Sequence, residues 1–417
     1  MSTDIRAANR EALERLCRAR PHWTAIRPAR EALGISGRHL LHAGPPITWE
    51  RMCAPMRGAV MCLIQYEGWA QTPEEAARLA ASGEVTFAPC HSRGALGPMA
   101  GVISPSLPVI VVEDRVNGTS AASFMGTAPP QMRFGAHGPD ALAALAWNRD
   151  VLAPAFQGFL DREGPLDLVA HMAQALAMGD EMHMRNAAAT ALMVKRMAPA
   201  LTDVVRGMDE LRRILAFMTQ GNDQFFLTWA MCAAKAAARA IEGLPGSTVV
   251  STMARNGVEI GIRVAGLGDR WFTGPAPAVV GAYFPGFGPA DANLDTGDSA
   301  IMETYGLGGM AMAASPAVVR IVGAGSVSEA IATTRRMGEI CVGTNPAFPI
   351  GVLDWEGSPT GIDIRKVVET GTTPAINTAI AHRDLAVARI IGAGISTPPI
   401  DPFVEALVAF GETIAAT

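Results

Sequence analysis

The stretch STVVSTMARNGVEIGIRVAG, residues 247–266, carries two runs rich in β-branched residues, Thr248–Met253 and Val258–Val264, around Arg255-Asn256-Gly257. Asn-Gly between such runs signals a tight hairpin, because the favoured turn needs positive φ at both central positions. Before it, from about residue 151 to 243, Met, Ala and Leu recur at three- and four-residue spacing, and Gly and Pro stay sparse until Leu244-Pro245-Gly246. That periodicity predicts three or four helices. Residues 1–150 mix helical patches at Asn9–Arg18 and Thr72–Ala81 with a strand-like run at Leu107–Glu113, whereas Gly and Pro dominate from Gly266 to Gly309. The last third alternates strand-like and helix-like segments and ends in a helix from Pro402. The expected fold is α+β and multidomain: a mixed αβ unit over 1–150, a helical subdomain over 151–245 and a second mixed αβ unit over 246–417.

A chain of 417 residues is long enough for two or three packed units. Charged residues are 18% and hydrophobic residues 49%, which excludes global disorder. The longest apolar runs, such as Leu107–Val112 and Ala311–Val319, fall far short of the about 20 residues a membrane span needs, so no membrane is expected. The low charge predicts apolar surface buried beyond one protomer's core, in a homo-oligomer or against a partner subunit. The formal net charge of -5, without a basic run, argues against nucleic acid. Lysines are only Lys195, Lys235 and Lys366, so positive charge is nearly all arginine, which grips carboxylate and phosphate well. Six scattered cysteines without a CxxC pair, and a polar helical N-terminus, predict a reducing cytoplasm. No zinc, phosphate-loop or nucleophile-elbow motif occurs, and neither metal nor cofactor is expected.

Three constellations could carry chemistry. In Gly179-Asp180-Glu181-Met182-His183-Met184-Arg185-Asn186, a helical reading puts Asp180, His183, Asn186 and Thr190 on one face, with Glu181 and Arg185 as a helix pair. This gives an acid/base His183 oriented by Asp180, with Asn186 on the substrate, or else a buried structural network. The loop Pro89–Gly101 sets His91, Ser92 and Arg93 among Gly94, Gly97 and Gly101, whose bare N–H groups could face an anion. Cys90 beside His91 is a nucleophile only if its thiol is activated. In Pro359–Gly371, strand alternation would put Asp363, Arg365 and Val367 on one face and Lys366 on the other, with Thr360 and Asn377 nearby. Arg255, Asn256 and Arg270, the last in the Gly/Pro-framed segment 266–277, complete the binding candidates. The run Val318–Val322 followed by Gly323-Ala324-Gly325 imitates a dinucleotide-binding start, but Ser328 replaces the third glycine, so it reads as strand, turn and helix with a Ser326/Glu329 capping box.

The segments HAGPPITWERMCAPMRGA (42–59), CHSRGALGPMAGVISPS (90–106), MGDEMHMRNAAAT (178–190), STVVSTMARNG (247–257), GDRWFTGPAP (268–277), GDSAIMET (297–304) and PTGIDIRKVVETGTTPAINTAIAH (359–382) resemble, in this order, an FdrA-associated bacterial family. That family includes the AllG subunit of the oxamate carbamoyltransferase of anaerobic allantoin degradation. The resemblance implies carbamoyl transfer between an oxalurate-like N-carbamoyl carboxamide and phosphate (or carbamoyl phosphate in reverse), in a complex with FdrA-like subunits. In that chemistry His183 would be the acid/base and Asp180 its orienter, Arg185, Arg255 or Arg270 would hold anions, and the glycine N–H groups of 94–101 would form the oxyanion site. His91-Ser92-Arg93 and His183-Met184-Arg185-Asn186 depart from the family's usual residues, which leaves a different substrate open. Two other functions fit the same residues: a stand-alone hydrolase of an amide, ureido or cyclic imide, and a non-catalytic assembly subunit.

Overall fold

Every residue from Leu227 to Ala238 is buried, as expected of a helix apolar on all sides, and this helix is the centre of the molecule. The computed structural model describes residues 4–220, 224–323 and 325–415. One side of the central helix packs on a five-stranded sheet ordered Ala95–Leu96, Thr119–Phe124, Pro108–Asp114, Pro21–Pro28, Leu166–Asp167. Trp23 anchors that contact: its ring stacks on Phe159 at 5.8 Å and meets Trp229 edge-on at 5.3 Å, fully buried. Truncating such a side chain costs about 3–5 kcal/mol. The predicted strand at Leu107–Glu113 is Pro108–Asp114, and the predicted helix at Thr72–Ala81 is Pro73–Ala81, started by the Thr72 hydroxyl accepting the Glu75 N–H.

The hairpin forms with strands Val250–Asn256 and Glu259–Val264, so the first strand runs on through Arg255 and Asn256. The Asn256 side-chain oxygen accepts the N–H groups of Val258 and Glu259, which closes the turn one residue later than the sequence suggested. Phe272–Pro275 and Thr296–Gly297 flank this pair in a four-stranded antiparallel sheet. A separate antiparallel sheet orders Val280–Tyr283, Ile390–Ser396 and Ile376–Ala381, and Cys341–Ile350 pairs with Glu356–Ile362 as a ribbon. The architecture is α+β with several sheets.

Three local expectations change. Between 151 and 245 there are five helices among the described residues, because Gly164, the 178–186 stretch and Gly207 each interrupt the pattern. Val318–Val322 is a short helix, not a strand: Gly323 ends it in the left-handed region, Ala324 lies outside the described residues, and the Ser326/Glu329 capping box starts the next helix. Arg365 and Lys366 lie on the helix Ile364–Thr370, not on alternate faces of a strand. The Asp363 carboxylate accepts the Arg365 N–H and turns the chain helical, and Gly371 caps the other end.

Candidate active site

The polar run 178–186 is a loop between the helices Leu168–Ala177 and Ala187–Val204, so Asp180, His183 and Asn186 share no helix face with Thr190. Gly179 and Met182 both have positive φ, which breaks the helix. Two carboxylates then claim the loop's N–H groups. Asp180 accepts the Ala189 N–H at 2.8 Å and pairs with Arg185, which also donates to the Gly179 carbonyl. Glu181 accepts the N–H groups of His183, Met184 and Arg185 at 2.8, 2.6 and 3.3 Å, in place of the predicted side-chain pair with Arg185. Burial raises both carboxyls above the ordinary carboxylate range, against those N–H bonds.

His183 is held by Glu303, not by Asp180. Its Nδ1 lies 2.7 Å from Glu303 Oε1, which also accepts the N–H groups of Gly309 and Asn377 at 3.1 and 3.3 Å. The Asn377 amide donates to Glu181 Oε1 at 3.1 Å, closing a ring of Glu181, His183, Glu303 and Asn377, all buried. A carboxylate at Nδ1 fixes the Nδ1–H tautomer and leaves Nε2 for proton transfer. The Asn186 amide donates to the His183 carbonyl at 3.2 Å, and three buried acceptors of these residues, Glu303 Oε2, Asn377 Oδ1 and Asn186 Oδ1, receive no hydrogen bond from the protein. Gly308 is required here: φ is +60°, and a Cβ would stand 2.1 Å from Glu303 Oε1.

A second layer supports the ring. Asp298 accepts the N–H groups of Gly44 and Gly97, both at 2.7 Å, and His91 Nε2 stands 3.3 Å away. Burial pushes the His91 ring down and the Cys90 thiol well up, so Cys90 is an inert buried thiol. The glycine N–H groups expected to face an anion are taken: Gly94 donates to the His91 carbonyl, Gly97 to Asp298 and Gly101 to the Pro98 carbonyl. Arg255 is likewise engaged, two-pronged with Asp295 at 2.8 and 3.0 Å, and also donating to the Gly297 carbonyl and the Thr378 hydroxyl.

The other candidates lie elsewhere. Asn256 shapes the hairpin, its amide donating to the Pro45 carbonyl. Arg93 is exposed, and Arg270 is exposed over the Phe272 ring. Arg365 folds back on Asp363, Lys366 donates to the Cys341 carbonyl, and Thr360 is buried against the Ser358 carbonyl. Of the binding set, Asn377 joins the His183 ring, Arg185 holds its loop, and Gly97, His91 and Arg255 sit in the supporting layer.

Sequence reading missed Glu303, Asp298, Asp295 and Arg133. The first three fall within nine residues, 295–303, that include no basic residue, so acids buried there need partners from elsewhere in the chain. Arg133 lines a cavity of about 1020 Å³ together with Met184, the residue after His183. Phe134 and Met184 pack with Met99, Ala379 and Ala381, and these two alanines share a strand face with Asn377.

The fold and this site define a multi-sheet α+β protein with a buried histidine–carboxylate pair beside an arginine-bearing cavity. A family model described as "Oxamate carbamoyltransferase subunit AllG" matches residues 85–299, and the chain belongs to that family. It is 43% identical to the Escherichia coli K12 protein named "Oxamate carbamoyltransferase subunit AllG" over 99% of both chains. It is 45% identical to "Uncharacterized protein YahG" of the same organism, over 99% of this chain and 87% of that one. A crystal structure of a conserved protein of unknown function from Enterococcus faecalis V583 superposes with a TM-score of 0.95, at 43% identity over 98% of each chain. Among the described residues no helix is long and apolar enough to cross a membrane.

Proposed function

We propose that this chain is a cytoplasmic carbamoyl-transfer component that acts on a small, oxalurate-like N-carbamoyl amide with phosphate as acceptor. One arrangement carries the reading: His183, held by Glu303, is flanked by the unpartnered buried acceptors Glu303 Oε2, Asn377 Oδ1 and Asn186 Oδ1. A carbamoyl group presents an NH₂ with two donors, which such acceptors favour, whereas the carboxylate end of the substrate would meet only other acceptors there.

In this reading a phosphate oxygen attacks the carbamoyl carbon while its proton passes to Nε2 of His183. The bond from that carbon to the amide nitrogen then breaks, and the same proton goes to the departing nitrogen, giving carbamoyl phosphate and oxamate. Glu303 keeps Nδ1 protonated and stabilises the transient imidazolium, the role the sequence had suggested for Asp180. Glu181 and Asn377 are positioning residues that fix the loop and the Glu303 carboxylate.

The E. coli relative is by name a subunit, and exposed Phe284 and Ile321 line the cavity, which supports an FdrA-like partner seated near it. The test incubates the purified chain, with and without an FdrA-like partner, with oxalurate in phosphate and in phosphate-free buffer. Phosphate-dependent oxamate release, lost in His183→Gln, is expected. Release without phosphate would make the chain a hydrolase, and release undiminished in His183→Gln would remove this site from the reaction.

A further inference from the structure

The chain carries five more formal negative than positive charges, yet the cavity beside Met184 is lined by Arg133, Arg320 and Arg389 and by no Asp or Glu. Arg320 and Arg389 are exposed, whereas Arg133 is buried. A buried guanidinium normally finds a carboxylate, as Arg255 finds Asp295. Arg133 has none: its one side-chain hydrogen bond runs from Nε to Gln131 Oε1 at 2.7 Å. It is nonetheless fixed. The Gln131 amide donates to the Thr127 carbonyl at 2.8 Å, the Arg133 carbonyl accepts the Ala100 N–H at 3.0 Å, and the guanidinium lies over the Phe134 ring at 5.0 Å. Clamped through Nε, the group has both terminal nitrogens uncommitted within the protein, the geometry for a two-pronged grip on a planar oxyanion. Burial pushes Arg133 down only to about 10, so it is charged at neutral pH.

We infer that Arg133 is the anchor for the carboxylate of the small acid on which this site acts, holding it in the cavity that Met184, the residue after His183, also lines. The inference rests on the carbamoyl-transfer reading for the identity of the acid, and on the cavity alone for the anchor. A carboxylate suits Arg133: its two terminal nitrogens meet two oxygens in one plane, whereas Arg320 and Arg389, the other guanidinium groups of the cavity, are exposed and screened by solvent. The exposed Arg320 and Arg389 would draw anions toward the anchor.

Titration calorimetry on the full chain, with oxamate and separately with inorganic phosphate, reads the anchor without turnover. The native chain and Arg270→Ala are expected to bind oxamate alike. Arg133→Met is expected to weaken it at least tenfold, and Arg133→Lys, which keeps the charge but loses the fork, to weaken it less, with phosphate affinity unchanged in both. Oxamate binding equal in the native and Arg133→Met chains, no oxamate binding at all, or loss confined to phosphate would overturn the assignment. The Lys variant keeps the test valid should the Met variant fold poorly. Arg133-dependent oxamate binding without carbamoyl transfer would refute the functional reading and leave the anchor standing; transfer with native KM in Arg133→Met would do the reverse.

Discussion

Arg255 and Arg133 are both buried arginines, but their partners differ, and that difference is measurable. Arg255 makes two bonds to the buried Asp295 carboxylate, one to the Gly297 carbonyl and one to the Thr378 hydroxyl. Replacing it by Met strands Asp295 without a cation, which costs about 3–5 kcal/mol. At a few degrees per kcal/mol, the thermal midpoint falls by about 10 °C. The double variant Arg255→Met/Asp295→Leu removes both charges and is expected to recover more than half of that loss. Arg133→Met leaves no acid behind. It gives up one bond to Gln131 and a ring contact, together worth about 1–2 kcal/mol, and removes the cost of holding an unpaired cation out of water. Its midpoint is expected within about 3 °C of native. Thermal denaturation of the four proteins, followed by circular dichroism at neutral pH, makes the comparison. The reasoning fails if Arg133→Met is as destabilised as Arg255→Met, or if the double variant melts no higher than the single one.

Glu303→Gln keeps the side-chain volume but not the charge, so kcat is expected to drop about 100-fold or more with a smaller change in KM; steady-state kinetics showing only a KM effect would take Glu303 out of the proton path. Gly308→Ala brings a Cβ to 2.1 Å from Glu303 Oε1 and is expected to abolish activity and lower the thermal midpoint, whereas Gly371→Ala, at a similar φ of +67° with nothing within 4 Å, costs only about 1–2 kcal/mol of backbone strain. His42, His91 and His171 are all held neutral by burial, so below the unfolded value of about 6.5 the unfolded chain takes up protons that the folded chain refuses. Stability then falls as pH falls, by up to about 1.4 kcal/mol per pH unit for each ring, and urea midpoints between pH 7.5 and 5.5 that stay level would contradict it.

The sequence carried the architecture where a local signal dictates structure. The Asn256-Gly257 turn, the Thr72 cap and the Ser326/Glu329 capping box all formed. It misled where a side chain bonds the backbone of its own neighbourhood. Glu181 and Asp180 draw N–H groups to their carboxylates and unwind a stretch whose spacing imitates a helix, while Asp363 does the opposite and starts a helix where alternation suggested a strand. His183 and Asn377 were legible as rare polar residues in apolar surroundings. Their partner Glu303 was not, because 120 residues separate it from His183 and no spacing rule spans that distance.

The nine residues from Asp295 to Glu303 serve three networks, through Arg255, through Gly44 and Gly97, and through His183. The bonds they close bridge 40, 254, 201 and 120 residues of chain, and the Asn377–Glu181 bond beside them bridges 196. Contacts of such high sequence separation form late, because the loop-closure entropy must be met before any of them stabilises the chain. The site is therefore among the last parts of the molecule to assemble, and nascent chains that have not yet reached Asn377 cannot hold it. A fragment ending at residue 299 keeps Asp298 but lacks Glu303 and Asn377, and is expected to leave His183 without its partner however well its helices fold.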